Sequence, residues 1–128
     1  MKETVKETVK GIVDESQRAL IEVAVGGAKD VEKKAISVWI DTAFNGGLVI
    51  PRHLIETLGL KKSSTTQAIL ADGSTVEVET YTCYLEWFGD VYRTQVVANQ
   101  GEFPLLGTML LTDRQLAIDY KAKSVTLD

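Results

Sequence analysis

Ile36-Ser37-Val38-Trp39-Ile40-Asp41-Thr42-Ala43-Phe44-Asn45-Gly46-Gly47 is an alternating strand that runs into a polar, glycine-rich loop. Ile36, Val38 and Ile40 form one face, and Ser37, Trp39 and Asp41 the other, which is the period of a half-buried strand. Asp41 therefore stands where an apolar strand gives way to a loop. Asn45-Gly46-Gly47 supplies residues that tolerate positive φ. Leu48-Val49-Ile50 reads as a short buried strand. Pro51 opens a helix whose Leu54, Ile55 and Leu58 share a face, and Gly59 suits its C-terminal cap.

Working outward, Ile21, Val23 and Val25 alternate with Glu22 and Ala24 as an earlier strand, ended by Gly26-Gly27. Ala28 to Lys34 is a charged loop. Residues 1–10 carry the polar tandem KETVKETVK and are expected to be a flexible N-terminal extension. Towards the C-terminus, Thr66 to Ala71 reads as a strand and Asp72-Gly73 is a strong hairpin signal. Thr75 to Phe88 is a long strand, Gly89-Asp90 a second hairpin, and Val91 to Ala98 the returning strand. Leu105-Leu106-Gly107 precedes a helical turn through Met109 to Leu111. Leu116, Ile118 and Tyr120 alternate, and Ser124 to Leu127 is the last strand. Many short strands, tight turns and one brief helix predict a mostly β, closed or sandwiched fold in a single domain over residues 11–128.

The chain has 128 residues, enough to bury roughly two thirds of its unfolded surface. A net charge of −4 argues against a nucleic-acid partner, which demands clustered Lys and Arg. Cys83 is the only cysteine, so no disulfide forms within the chain, which fits a reducing compartment. The charged start has no apolar signal region, and no run is long enough to span a bilayer. The expected location is the cytoplasm, without a membrane partner.

Three features carry the chemistry: Trp39-Ile40-Asp41-Thr42-Ala43, the hairpin Ala71-Asp72-Gly73-Ser74, and Leu105-Leu106-Gly107. In this order and spacing they resemble the retropepsin-like (clan AA) aspartic peptidases over nearly the whole chain, from Gly11 to Asp128. Asp41-Thr42-Ala43-Phe44-Asn45-Gly46 is similar to the Asp-Thr-Gly-Phe-Asn-Gly loop of the small bacterial and archaeal members. The resemblance implies an acid-protease barrel that works as a homodimer. It implies Asp41 as the catalytic carboxylate, Thr42 hydrogen-bonding across the axis, and the backbone near Ala43 supporting the carboxylate oxygens. Asp72, Gly73 and Ser74 correspond to the flap, which with Phe44 would bind an extended peptide by strand addition. Leu105, Leu106 and Gly107 correspond to the stretch behind the catalytic loop, with Gly107 allowing close backbone approach.

Amide hydrolysis at moderate pH needs an activated water and an acid for the leaving nitrogen, and two close carboxylates sharing one proton supply both. The chain holds one Asp-Thr motif, so a twofold dimer must bring the second. No metal or organic cofactor is required. Position 43 departs from the pattern, with Ala in place of Gly. A positive φ there would cost Ala about 1 kcal/mol or more. That motivates a second reading, a peptidase-fold dimer that binds peptides without cutting them. A third is a purely structural β-domain, monomeric, with the Asp41 loop unpaired.

The remaining polar and aromatic residues have simpler readings. Asp72 serves its turn, His53 is a solvated helix residue, and Cys83 is a small core residue. Trp39, Trp87 and Phe88 read as packing residues. Asp113 and Asp119 belong to turns and strand faces.

Overall fold

The structure, a computed structural model, describes residues 7–128. Ten strands and one short helix follow each other as β1 (Val9–Val13), β2 (Ala19–Gly26), β3 (Lys34–Ile40), β4 (Leu48–Pro51), α1 (Arg52–Leu58), β5 (Lys61–Ile69), β6 (Thr75–Trp87), β7 (Asp90–Asn99), β8 (Leu105–Leu106), β9 (Leu116–Asp119) and β10 (Ser124–Leu127). A 3₁₀ turn covers Thr108–Leu111. The mostly β expectation with a single brief helix holds.

Six strands close on themselves in the order β2-β3-β8-β4-β7-β6, because β6 pairs back onto β2 through Ala24↔Glu86, Val25↔Leu85 and Gly26↔Tyr84. β5 hangs on the outer edge of β6, and β1, β10 and β9 continue from the start of β2. Closure removes the free edges that an open sheet would leave. The alternating residues fill the barrel: Ile21, Val25, Val38, Leu48, Ile50, Leu85, Val96 and Leu106 are all buried. β4 is buried at every position. It lies between a parallel neighbour, β7, and an antiparallel one, β8, so its apolar run Leu48-Val49-Ile50 shows no alternation.

Local chemistry sets the element ends. Pro51 sits at the N-cap of α1, one position before the helical turn it was expected to open, and Gly59 closes the helix in the left-handed conformation with φ 67°. Ile55 and Leu58 face the core. In the second hairpin the pairing Trp87↔Asp90 leaves Phe88 and Gly89 as the two loop residues, with φ 49° and 87°. Both angles are positive, as a type I′ turn requires, so the turn centre lies one residue earlier than Gly89-Asp90. The ring of Phe88 is held by Trp87 edge-on at 4.9 Å and by the Arg114 guanidinium at 3.4 Å from its centroid.

Two elements differ from expectation. Residues 1–6 of the expected extension lie outside the described residues, and Val9 and Lys10 belong to β1. β1 pairs with β10 through Val9↔Leu127 and Lys10↔Thr126, a partner at the far end of the chain that local periodicity cannot reveal. β5 starts at Lys61 and not at Thr66. Its residues up to Gln67 are exposed, so no apolar alternation marks it, and the pairing with β6 from Lys61↔Thr82 to Ile69↔Thr75 makes it a strand. No helix among the described residues is long and apolar enough to cross a membrane.

Candidate active site

Asp41 follows directly on β3, and its position is fixed from β8. The Trp39 N–H donates to Pro104 O at 2.9 Å and the Asp41 N–H to Leu106 O at 2.9 Å, extending the parallel β3–β8 ladder to the carboxylate residue. The Asp41 carboxylate Oδ1 accepts the Ala43 N–H at 3.0 Å, and its main-chain oxygen accepts the Phe44 N–H at 3.2 Å. The side chain thus organises its own loop, as short acidic side chains do in turns.

The loop is then laced to the chain behind it. Phe44 O accepts from Thr108 N at 2.8 Å, Gly46 O from Met109 N at 3.1 Å, and Gly47 O from Gly107 N at 2.7 Å. Leu105-Leu106-Gly107 therefore runs directly behind the Asp41 loop, Leu106 fully buried and Leu105 half-buried. Gly107 permits the approach: a Cβ there would stand 2.7 Å from Phe44 O and closer still to Gly46 O.

Asp41 is half-buried, while Thr42 and Ala43 are exposed at the loop's crest. Together with Trp39, Ile40 and Leu105 they line an open pocket of about 430 Å³. Ala43 is not among the described residues with positive φ, so its methyl group brings no left-handed strain to the loop. Phe44 differs from expectation. Its ring lies against Gly46 and Gly107, and both its N–H and its carbonyl are bonded within the loop. A free backbone edge for strand addition is therefore absent at Phe44.

Asp72, Gly73 and Ser74 sit at the exposed tip of the β5–β6 hairpin. Leu70 N donates to Ser74 O at 2.8 Å, Gly73 N donates to Leu70 O at 2.9 Å, and Gly73 has φ 85°. Asp72 Oδ1 accepts from Ser74 Oγ at 2.6 Å and from Ser74 N at 2.9 Å. The hydroxyl first, then the amide, holds the carboxyl below the usual range, so Asp72 serves the turn. Ile69, 78 % exposed, and Leu70 and Val76 make this tip apolar as well as projecting. No hydrogen bond joins it to the Asp41 loop among the described residues. The hairpin's base is tied down: Glu79 accepts from Arg52 at 2.6 Å and from the Tyr81 hydroxyl at 2.8 Å, with Lys62 at 3.5 Å.

Cys83 is fully buried on β6, and burial pushes its thiol up to about 11. His53 is exposed on α1. Among the described residues no three His, Cys, Asp or Glu side chains gather as a metal site would need.

Trp87 and Phe88 pack as their positions suggest, but Trp39 does not. It is 39 % exposed and borders the Asp41 pocket. Its place on the Ser37-Trp39-Asp41 face was the available signal. Arg18, which no motif marks, stands over Trp39 at 5.8 Å and over Phe103 at 4.4 Å.

No protein-family model matches the chain, and no curated protein does. Solved structures do match. A retropepsin-like aspartic protease from Rickettsia conorii superposes with a TM-score of 0.64 at 18 % identity, covering 94 % of this chain and 89 % of that one. EIAV protease complexed with the inhibitor HBY-793 superposes with a TM-score of 0.55 at 15 % identity, covering 78 % of this chain and 90 % of that one. At these identities the likeness concerns architecture, and the chain has the retropepsin-like fold.

Proposed function

We propose that the chain is an aspartic endopeptidase that acts as a homodimer, with two Asp41 carboxylates facing each other across a twofold axis. The observation that carries this reading is the setting of Asp41. It lies half-buried at a pocket, on a loop fastened by three backbone hydrogen bonds to residues 107–109, within a fold shared with aspartic proteases. Such fastening is what a preorganised carboxylate needs.

In the proposed reaction one carboxylate takes a proton from a bound water, whose oxygen attacks the peptide carbonyl carbon. The other, protonated, carboxyl hydrogen-bonds the carbonyl oxygen and stabilises the tetrahedral intermediate. A proton passes to the nitrogen as the C–N bond breaks, which leaves the pair sharing one proton again. Thr42, exposed beside Asp41, would bond to the partner loop, and the Ala43 amide already supports Oδ1. The β5–β6 tip, with Asp72, Gly73 and Ser74, would close over an extended peptide and exclude water. No metal or cofactor takes part. The single buried thiol fits action in the cytoplasm.

The test is the Asp41→Asn variant. It is expected to keep the fold and the dimer, measured by sedimentation, and to lose peptide cleavage entirely. Cleavage persisting at the parent rate, or a parent protein that remains a monomer, would sink the mechanism. The alternative of a binding dimer without turnover drew on strain at Ala43, and an unstrained Ala43 removes that motive. A hydroxyl-bearing transition-state analogue separates the two readings, since only a catalytic dyad binds it more tightly than the matching substrate.

A further inference from the structure

β7 is flanked on its second side for only part of its length. β4 pairs with it along residues 96–99, so among the described residues the outer edge of β7 over residues 91–95 has no strand beside it. An open slot of about 310 Å³ follows that edge. Tyr92, Arg93 and Thr94 form one wall. Neighbours in a strand point to alternate faces, so three in a row line a slot that runs along the edge. The 3₁₀ turn and Arg114 form the other wall. The bonds from Thr112 Oγ1 to Met109 O and from Arg114 N to Leu111 O, each 3.0 Å, hold that wall in place. Leu85 and Trp87, both buried, make the floor apolar.

The slot's own groups leave it unfinished. Tyr92 and Met109 are exposed at its rim. Arg93 and Arg114 face no carboxylate, since among the described residues the ion pairs involve Arg18, Arg52 and Lys62. Arg114 lies instead on the Phe88 ring. In a chain of net charge −4, two unpaired guanidinium groups beside an apolar slot select a ligand that is both apolar and anionic. The unpaired edge adds a row of backbone donors and acceptors.

We propose that this slot docks an extended acidic segment of a partner protein, which adds as a strand to residues 91–95 of β7. The pleat sets how it binds. Tyr92 lies opposite Leu85 and Arg93 opposite Tyr84, so Tyr92 and Thr94 share the face of the buried floor and Arg93 takes the other. The bound segment alternates in the same way. A large apolar side chain sits over Leu85 and Trp87, and the carboxylates on either side of it meet the guanidinium groups. The slot shares no lining residue with the pocket at Asp41, so docking here holds whether or not the chain cuts peptides.

The test is calorimetric titration of the full chain with the blocked heptapeptide Thr-Val-Glu-Phe-Glu-Val-Thr, in the parent and in Asp41→Asn, which removes turnover. Binding is expected in both, with amide NMR shifts at Tyr92, Arg93, Thr94 and Arg114. Shifts confined to the Asp41 loop, or no binding at millimolar peptide, overturn the proposal. Ala in place of the peptide's Phe is expected to weaken binding by about tenfold or more. Arg93→Glu is expected to weaken it by about three- to tenfold. Unchanged affinity in either case overturns it. Peptides N-methylated at alternate amides test the strand: one methylation register is expected to bind and the other not, and equal binding of the two overturns strand addition. Two other occupants give distinct results. Peptide that lowers the sedimenting mass of the parent assigns the slot to a second copy of the chain. The Glu7 carboxylate stands 3.2 Å from the place of a Cβ on Gly89, in the turn next to Trp87. Affinity that rises in Glu7→Gln therefore assigns the slot to the chain's own N-terminal segment. Either result overturns the partner.

Discussion

Gly107 lies under the ring of Phe44, so close that a Cβ on residue 107 would stand 2.5 Å from Phe44 Cδ2. The contact joins the loop that carries Asp41 to the strand end behind it, and backbone oxygens of Phe44 and Gly46 crowd the same point. No rotamer change clears main-chain oxygens. Gly107→Ala is therefore expected to destabilise the fold by about 1–3 kcal/mol, the usual range for overpacking a tight site. Urea denaturation of the purified variant reads this directly, and an unchanged midpoint would mean that the loop is looser than it looks.

Ala43 leads to the opposite expectation. Its backbone is not in the left-handed region, so Gly relieves nothing and adds freedom to the unfolded chain. Ala43→Gly should cost about 0.4–1 kcal/mol of stability. A gain in thermal midpoint would show that the methyl group is strained in the assembled protein.

Glu79 sets part of the acid stability. The Arg52 hydrogen bond first, then the Tyr81 hydroxyl, holds its carboxyl at about 2, below the ordinary 4.5. A depressed folded value means that the folded state binds fewer protons than the unfolded one. The contribution is then complete above 4.5 and is lost as pH falls towards about 2. Glu79→Gln should flatten the stability profile through that window, measured by denaturation at a series of pH values. Asp14 and Asp72, also held low, leave a residual slope of the same sign. A profile identical to the parent's would show that the Arg52 pair is open in solution.

Cys83 should be chemically silent in the native protein. Its thiol is buried on β6 and pushed up to about 11 by that burial, so little thiolate forms at neutral pH. A chromogenic disulfide reagent should react only as fast as the protein unfolds, and to completion in denaturant. Rapid reaction without denaturant would place Cys83 at an accessible surface.

Much of the candidate site was legible because it is written in short-range spacing. The alternation of Val38 and Ile40 against Trp39 and Asp41 put the carboxylate at a strand end, on the open face. Asp72-Gly73 announced a turn, whereas the tight passage at Leu105-Leu106-Gly107 was implied by the family resemblance and not by local spacing. Phe44 was misplaced because sequence shows an aromatic next to the loop but not that Gly46 and Gly107 leave a bed for its ring. Trp39 was read as packing because an isolated tryptophan is usually buried, and its neighbour Arg18 lies too far away in sequence to suggest a partner.

By itself the sequence determined the period-2 strands, the capped helix from Pro51 to Gly59, and the polar loop that carries Asp41, since each depends on residues within a few positions of one another. Tertiary structure alone decided that β6 closes onto β2, that β8 slots between β3 and β4, that β1 finds β10, and that Arg18 and Phe103 flank Trp39. Those pairings are chosen by which distant edges and faces bury the most apolar surface together while satisfying their backbone hydrogen bonds, and no local pattern encodes that choice.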